Sequence, residues 1–108
     1  MLLSVKNKED FGNYLKSAGR KLVVIDFYAT WCGPCKKIEG FIEELANAHK
    51  DDVIVLKVNV DECEDVATDY NVSAMPQFFF IRDGKVVESL AGSSSEKFHE
   101  CFKKHLAV

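Results

Sequence analysis

The sequence predicts an α/β fold: one mixed central sheet of about five strands, with helices on both faces. Three observations lead there. Two apolar, β-branched runs with almost no alternation, L-V-V-I-D-F-Y-A and V-I-V-L-K-V-N-V, read as strands buried on both faces. Helical apolar spacing alternates with the early strands, which implies parallel crossovers. Late in the chain, Asp83-Gly84 separates two strand-like runs and marks a hairpin, adding an antiparallel pair.

Residues 2–5 form a short first strand. Phe11, Tyr14, Leu15 and Ala18 then recur at i, i+3, i+4 and i+7, one apolar face of a helix that Gly19 closes. The first doubly buried strand covers 22–29. Ile38, Phe41, Ile42 and Leu45 repeat the helical spacing and predict a second helix over about 34–49. The second buried strand covers 53–60, and 62–70 is a weaker, shorter helix that Pro76 prevents from continuing. Q-F-F-F-I-R and K-V-V-E-S-L-A are the hairpin strands. Gly92 and three serines make a turn whose last serine, Ser95, can cap a final helix carrying Phe98, Cys101, Phe102 and His105 on one face.

The chain has 108 residues, 47% apolar and 29% charged, which suits one globular domain over residues 1–108. Lys and Arg are scattered and the net charge is −3, so no nucleic-acid footprint exists, and no Gly-rich loop offers a phosphate cradle. The amino end, M-L-L-S-V-K, is too short for a signal-peptide core, and no run approaches the roughly 20 apolar residues of a membrane span. A reducing, cytoplasmic setting is therefore expected. There a cysteine pair is catalytic or metal-binding rather than a structural staple.

Such a pair stands in W-C-G-P-C at residues 31–35, directly after the first buried strand. Cys32 falls past the carboxyl end of that strand and Cys35 in the first turn of the next helix, where open α/β sheets build their sites. Unpaired backbone N–H groups and the positive dipole end favour a thiolate there. Pro34 suits the first helical position, where its missing N–H has no intrahelical partner to lose. With two residues between them the sulfurs can close a small ring, which gives an exposed nucleophile, Cys32, and a less accessible resolving thiol, Cys35. A zinc site needs about four ligands. This pair is half of one, Cys63 and Cys101 stand alone, and His49, His99 and His105 lie on helices at other spacings, so no metal is expected. Asp26, inside the buried strand, should be costly and have a raised pKa, unless a strand end or a lysine satisfies it.

Taken together, W-C-G-P-C after V-V-I-D-F-Y-A, M-P at 75–76, the D-G hairpin and the Gly92 turn resemble the thioredoxin family over essentially the whole chain. The resemblance implies a thioredoxin fold and a general protein-disulfide reductase of the animal cytosolic type. Cys32 would attack a substrate disulfide and Cys35 would resolve the mixed disulfide. Gly33 and Pro34 would tune the couple toward reduction, Asp26 would accept the Cys35 proton through water, and Lys57 would tune Asp26. A cis Met75–Pro76 bond would align an extended substrate by main-chain hydrogen bonds, with Trp31, Met75 and Gly92 as the apolar docking surface. No bound cofactor is implied. Electrons would come from NADPH through a thioredoxin reductase and pass to disulfide-containing proteins such as peroxiredoxins. The resemblance further implies a monomer without nucleic-acid or membrane partners, or alternatively a redox-gated or thiol-independent binding subunit. Gly40 replaces a helix proline usual in the family, and Gln77 a threonine, with its effect expected on substrate contacts. Cys63 resembles an extra cysteine of some animal members, with Tyr70 where its partner would stand. Cys101 is expected to pack in the core.

Overall fold

The computed structural model describes residues 1–107. Its elements run β1 (Leu2–Ser4), α1 (Lys8–Ser17), β2 (Leu22–Tyr28), α2 (Gly33–Ala48), β3 (Val53–Asn59), α3 (Glu64–Asp69), β4 (Gln77–Arg82), β5 (Lys85–Ala91) and α4 (Ser95–Leu106). Five strands form one sheet in the order β1-β3-β2-β4-β5. Strands β1 and β2 both run parallel to β3, so the two early crossovers are as expected.

The hairpin is not the only antiparallel pair, because β4 also runs antiparallel to β2. The reason is length. Seven residues of β3 rise about 23 Å, whereas the six residues of α3 return only about 9 Å, and Val72 to Met75 after it stay beside Cys32 at the carboxyl end of β2. The chain therefore enters β4 near the end where β3 finished and travels back.

Alternation along β2 sorts the core into two layers. Val23, Ile25 and Phe27 join Phe11 of α1 and Val66 of α3, while Leu22 and Val24 join Ile38 and Ile42 of α2 and Phe98 of α4. Helices thus cover both faces. Phe98 is fully buried, its ring edge-on to Phe78 at 4.9 Å between centroids.

Local chemistry explains the boundaries. Asp83 and Gly84 have φ of 53° and 78°, the double left-handed geometry of a two-residue primed hairpin turn. The cap of α4 is Ser94 rather than Ser95. The Ser94 backbone is still extended (φ −75°, ψ 108°), and its Oγ accepts the Lys97 N–H at 3.2 Å. Because α2 begins at Gly33, Pro34 is its second residue, not its first; the missing N–H still falls among the four that lack intrahelical partners. Gly40 does not interrupt α2. Among the described residues, no helix is long and apolar enough to cross a membrane.

Candidate active site

Cys32 is the N-cap of α2, with extended backbone (φ −88°, ψ 107°) and a sulfur that accepts the Cys35 N–H at 3.1 Å. It is disulfide-bonded to Cys35, their Cα atoms 5.3 Å apart. The backbone N–H that reaches the sulfur also favours a thiolate there once the bond opens, as does the positive helix end.

The expected exposure of Cys32 does not hold: Cys32 is 4% exposed and Cys35 6%. Both pack with Ala29, and Tyr28, Val60 and Met75 close around them. What separates the two thiols is direction. A groove of about 580 Å³ is bordered by Trp31, Cys32, Gly33, Pro34 and Met75, but not by Cys35. Trp31, 68% exposed, is pinned at that groove by its Nε1–H, which donates to the Asp61 carboxylate at 2.9 Å.

The groove is also lined by Val60, Ala67, Val72, Ser73 and Ala74, none of which stands out in the sequence as a site residue. The available signal was the small and apolar stretch V-S-A-M immediately before Pro76. The Met75–Pro76 peptide is cis, as the resemblance implies. Pro76 and Gly92 do not border the groove. They are joined to each other, the Gly92 N–H donating to the Pro76 carbonyl at 2.9 Å. Gly92 has φ of +98°, a conformation that residues with a Cβ resist. Gln77 acts internally, its Oε1 accepting the Ser73 N–H at 3.2 Å and tying down the groove wall.

Asp26 lies on β2 between Lys57 of β3 and Phe78 of β4. Strand alternation puts it on the face of Leu22 and Val24, beneath α2, at the end of the strand that leads to the cysteines. It is 5% exposed. Burial pushes its carboxyl up to about 7, against the downward pull of the Lys57 charge, and Glu39 adds a smaller upward push. The Lys57 ammonium is shared, 3.7 Å from the Glu39 carboxylate and 4.4 Å above the Tyr28 ring centroid. Desolvation therefore outweighs attraction. A carboxyl tuned near neutrality can both take up and release a proton at physiological pH.

Cys63 and Cys101 are free and buried, in the cores on opposite faces of the sheet. The Cys63 sulfur donates to the Val5 carbonyl at 3.8 Å, and burial raises its thiol pKa. Tyr70 is packed among the rings of Phe11, Phe27 and Phe79.

A family model described as Thioredoxin matches residues 3–104. Thioredoxin-T of Drosophila melanogaster is 51% identical over 108 residues, covering 100% of this chain and 69% of that one. Thioredoxin of Gallus gallus is 47% identical over 103 residues, covering 95% and 97%. Among solved structures, the germline-specific thioredoxin Deadhead of Drosophila melanogaster superposes with a TM-score of 0.89 at 39% identity, covering 94% and 96%. Reduced Schistosoma mansoni thioredoxin gives 0.89 at 43% identity, covering 95% and 96%. With a Cys32–Cys35 pair at the strand-to-helix joint of this sheet, the chain belongs to the thioredoxin family and is a thiol-disulfide oxidoreductase.

Proposed function

We propose that the protein works as a general protein-disulfide reductase, with Cys32 attacking and Cys35 resolving. The observation that carries this reading is that Cys32, at the helix amino end, borders the groove whereas Cys35 does not. A substrate segment lies along the groove, and the Cys32 thiolate attacks one sulfur of its disulfide. A Cys32–substrate disulfide forms, and the other substrate sulfur leaves as a thiolate and takes a proton from solvent. Cys35 then loses its proton through water to Asp26 and attacks the Cys32 sulfur. The second substrate sulfur departs, the Cys32–Cys35 bond closes, and two electrons have passed to the substrate.

Asp26 serves as the base in this scheme, supported by its burial and its near-neutral carboxyl. Lys57 tempers that carboxyl. Gly33 and Pro34 hold the cysteines at the helix start and set the couple toward reduction. Trp31 and Met75 give apolar contact, while Pro76 and Gly92 fix the adjoining backbone that aligns an extended substrate. The exchange needs no bound cofactor. Regeneration draws on NADPH through a thioredoxin reductase, and electrons pass on to peroxiredoxins and similar disulfide-forming enzymes. The protein acts as a cytoplasmic monomer.

Insulin-disulfide reduction driven by NADPH and a thioredoxin reductase tests the reading. Wild type should turn over and Cys32→Ser should not. Turnover by Cys32→Ser would overturn it, and a biological effect that survives loss of both thiols would point instead to a binding subunit.

A further inference from the structure

Away from the groove, the fold gathers three metal-binding side chains that lie apart in sequence. Cys101 and His105 are four residues apart on α4 and so share one helix face. Glu88 of β5 meets them from the sheet, at the position paired with Phe80. One donor atom from each, the Glu88 carboxylate oxygen, the Cys101 sulfur and a His105 ring nitrogen, fall within 4.8 Å of one another.

We propose that Glu88, Cys101 and His105 bind one zinc ion, in a site separate from the Cys32–Cys35 couple. The donor set suits the metal: thiolate and imidazole select zinc over magnesium or calcium, and the carboxylate completes three of four tetrahedral positions. Zinc bonds of about 2.0–2.3 Å place donors roughly 3.3–3.7 Å apart. The Glu88–His105 edge, 2.7 Å, must therefore open by about 0.6 Å and the widest edge close by about 1 Å, within reach of rotation of the partly exposed Glu88 side chain.

The cluster already holds a cation. Lys104 Nζ stands 3.1 Å from Glu88 Oε1, the same oxygen that His105 Nε2 meets at 2.7 Å. The Lys104 side chain is 66% exposed and free to swing into solvent, leaving its place to the metal. His105 is held from two sides: its ring lies 5.9 Å from that of Phe80, and the Arg82 guanidinium donates to its backbone carbonyl. Glu88, about a third exposed, leaves a route from solvent, which would supply water as the fourth ligand.

Burial and the Glu88 charge push the Cys101 thiol up to about 12, so the free site holds a thiol rather than a thiolate. On binding, the Cys101 S–H bond breaks, its proton leaves to solvent and the sulfur pair bonds zinc. His105 gives the Nε2 lone pair with its proton on Nδ1, Glu88 gives a carboxylate pair, and Lys104 departs with its protons. Nothing is oxidised or reduced. The ion would tie β5 to α4.

The test uses full-length protein oxidised at Cys32–Cys35, so that those sulfurs cannot bind metal. Titration with Co²⁺ should give the ultraviolet thiolate-to-cobalt absorption at one equivalent, and Zn²⁺ should abolish it. Cys101→Ser should remove the absorption. Glu88→Gln and His105→Gln should each weaken Zn²⁺ binding by more than about 100-fold, above the 10–100-fold typical of outer-shell changes. Cys63→Ala should leave binding intact. Circular dichroism checks that each variant folds, and the Glu88 and His105 variants decide the matter if Cys101→Ser does not. Absence of the thiolate absorption overturns the proposal. So does absorption that persists in Cys101→Ser, or full-strength binding in both other variants.

Discussion

Replacing Asp26 by asparagine removes a charge that the fold holds at a disadvantage. In the native state burial lifts the carboxyl from 3.8 to about 7. Below about pH 4 the group is protonated in both folded and unfolded chains, and its effect on stability does not vary with pH. Between about pH 4 and pH 7 the unfolded chain gives up the proton while the folded chain keeps it. The unfolded state then binds fewer protons, so stability falls as pH rises through this window. Above pH 7 both forms are ionised and the loss levels off. A shift of about three units at about 1.4 kcal/mol each makes the full loss about 4 kcal/mol. Asparagine has nearly the shape of the protonated acid and does not titrate. Denaturant unfolding of oxidised wild type and Asp26→Asn at pH 4, 5.5, 7 and 8.5 reads the difference. The variant should match wild type at pH 4 and exceed it by about 4 kcal/mol at pH 8.5. A gap constant across the series would refute the claim that burial governs Asp26.

Three further outcomes follow from local geometry. Gly40→Ala should stabilise α2 by about 1 kcal/mol in denaturant unfolding with turnover unchanged, because alanine favours helix and the added Cβ meets nothing within 4 Å. Ser94→Ala should cost about 1 kcal/mol through loss of the Lys97 cap, whereas Ser95→Ala should move stability by less than about 0.5 kcal/mol; equal losses would mean the cap is misassigned. Trp31→Ala should lower kcat/KM for a protein disulfide about tenfold, equivalent to about 1.4 kcal/mol. With Trp31 68% exposed, its unfolding free energy should stay within about 0.5 kcal/mol of wild type.

Patterns that act within one segment were legible in the sequence. The apolar, β-branch-rich runs 22–29 and 53–60, with almost no alternation, marked the central strands, and Asp83-Gly84 marked the hairpin, because burial on both faces and left-handed turns each constrain a few adjacent residues. The cysteine pair was legible for the same reason, strand end and helix start being neighbours in the chain. Relations between distant segments were not. The reversal of β4 against β2 depends on how far α3 returns, and helix boundaries are the least certain part of a pattern. The burial of Cys32 comes from Val60 and Met75 folding over it, contacts that no spacing near residue 32 encodes. Glu88 meets Cys101 and His105 only once β5 and α4 pack together. Asp26 was the exception: a carboxylate in a doubly buried run announces its own desolvation, and only the balance against Lys57 and the added push of Glu39 needed the structure.

Trapping separates the roles of the two thiols most directly. Reduced Cys35→Ser and Cys32→Ser proteins are each mixed with a disulfide-containing protein, and the adducts are mapped by peptide mass spectrometry. Cys35→Ser should accumulate a stable mixed disulfide through Cys32, while Cys32→Ser should accumulate little. Adducts that form through Cys35 in Cys32→Ser, with none at Cys32 in Cys35→Ser, would contradict Cys32 as the attacking thiol.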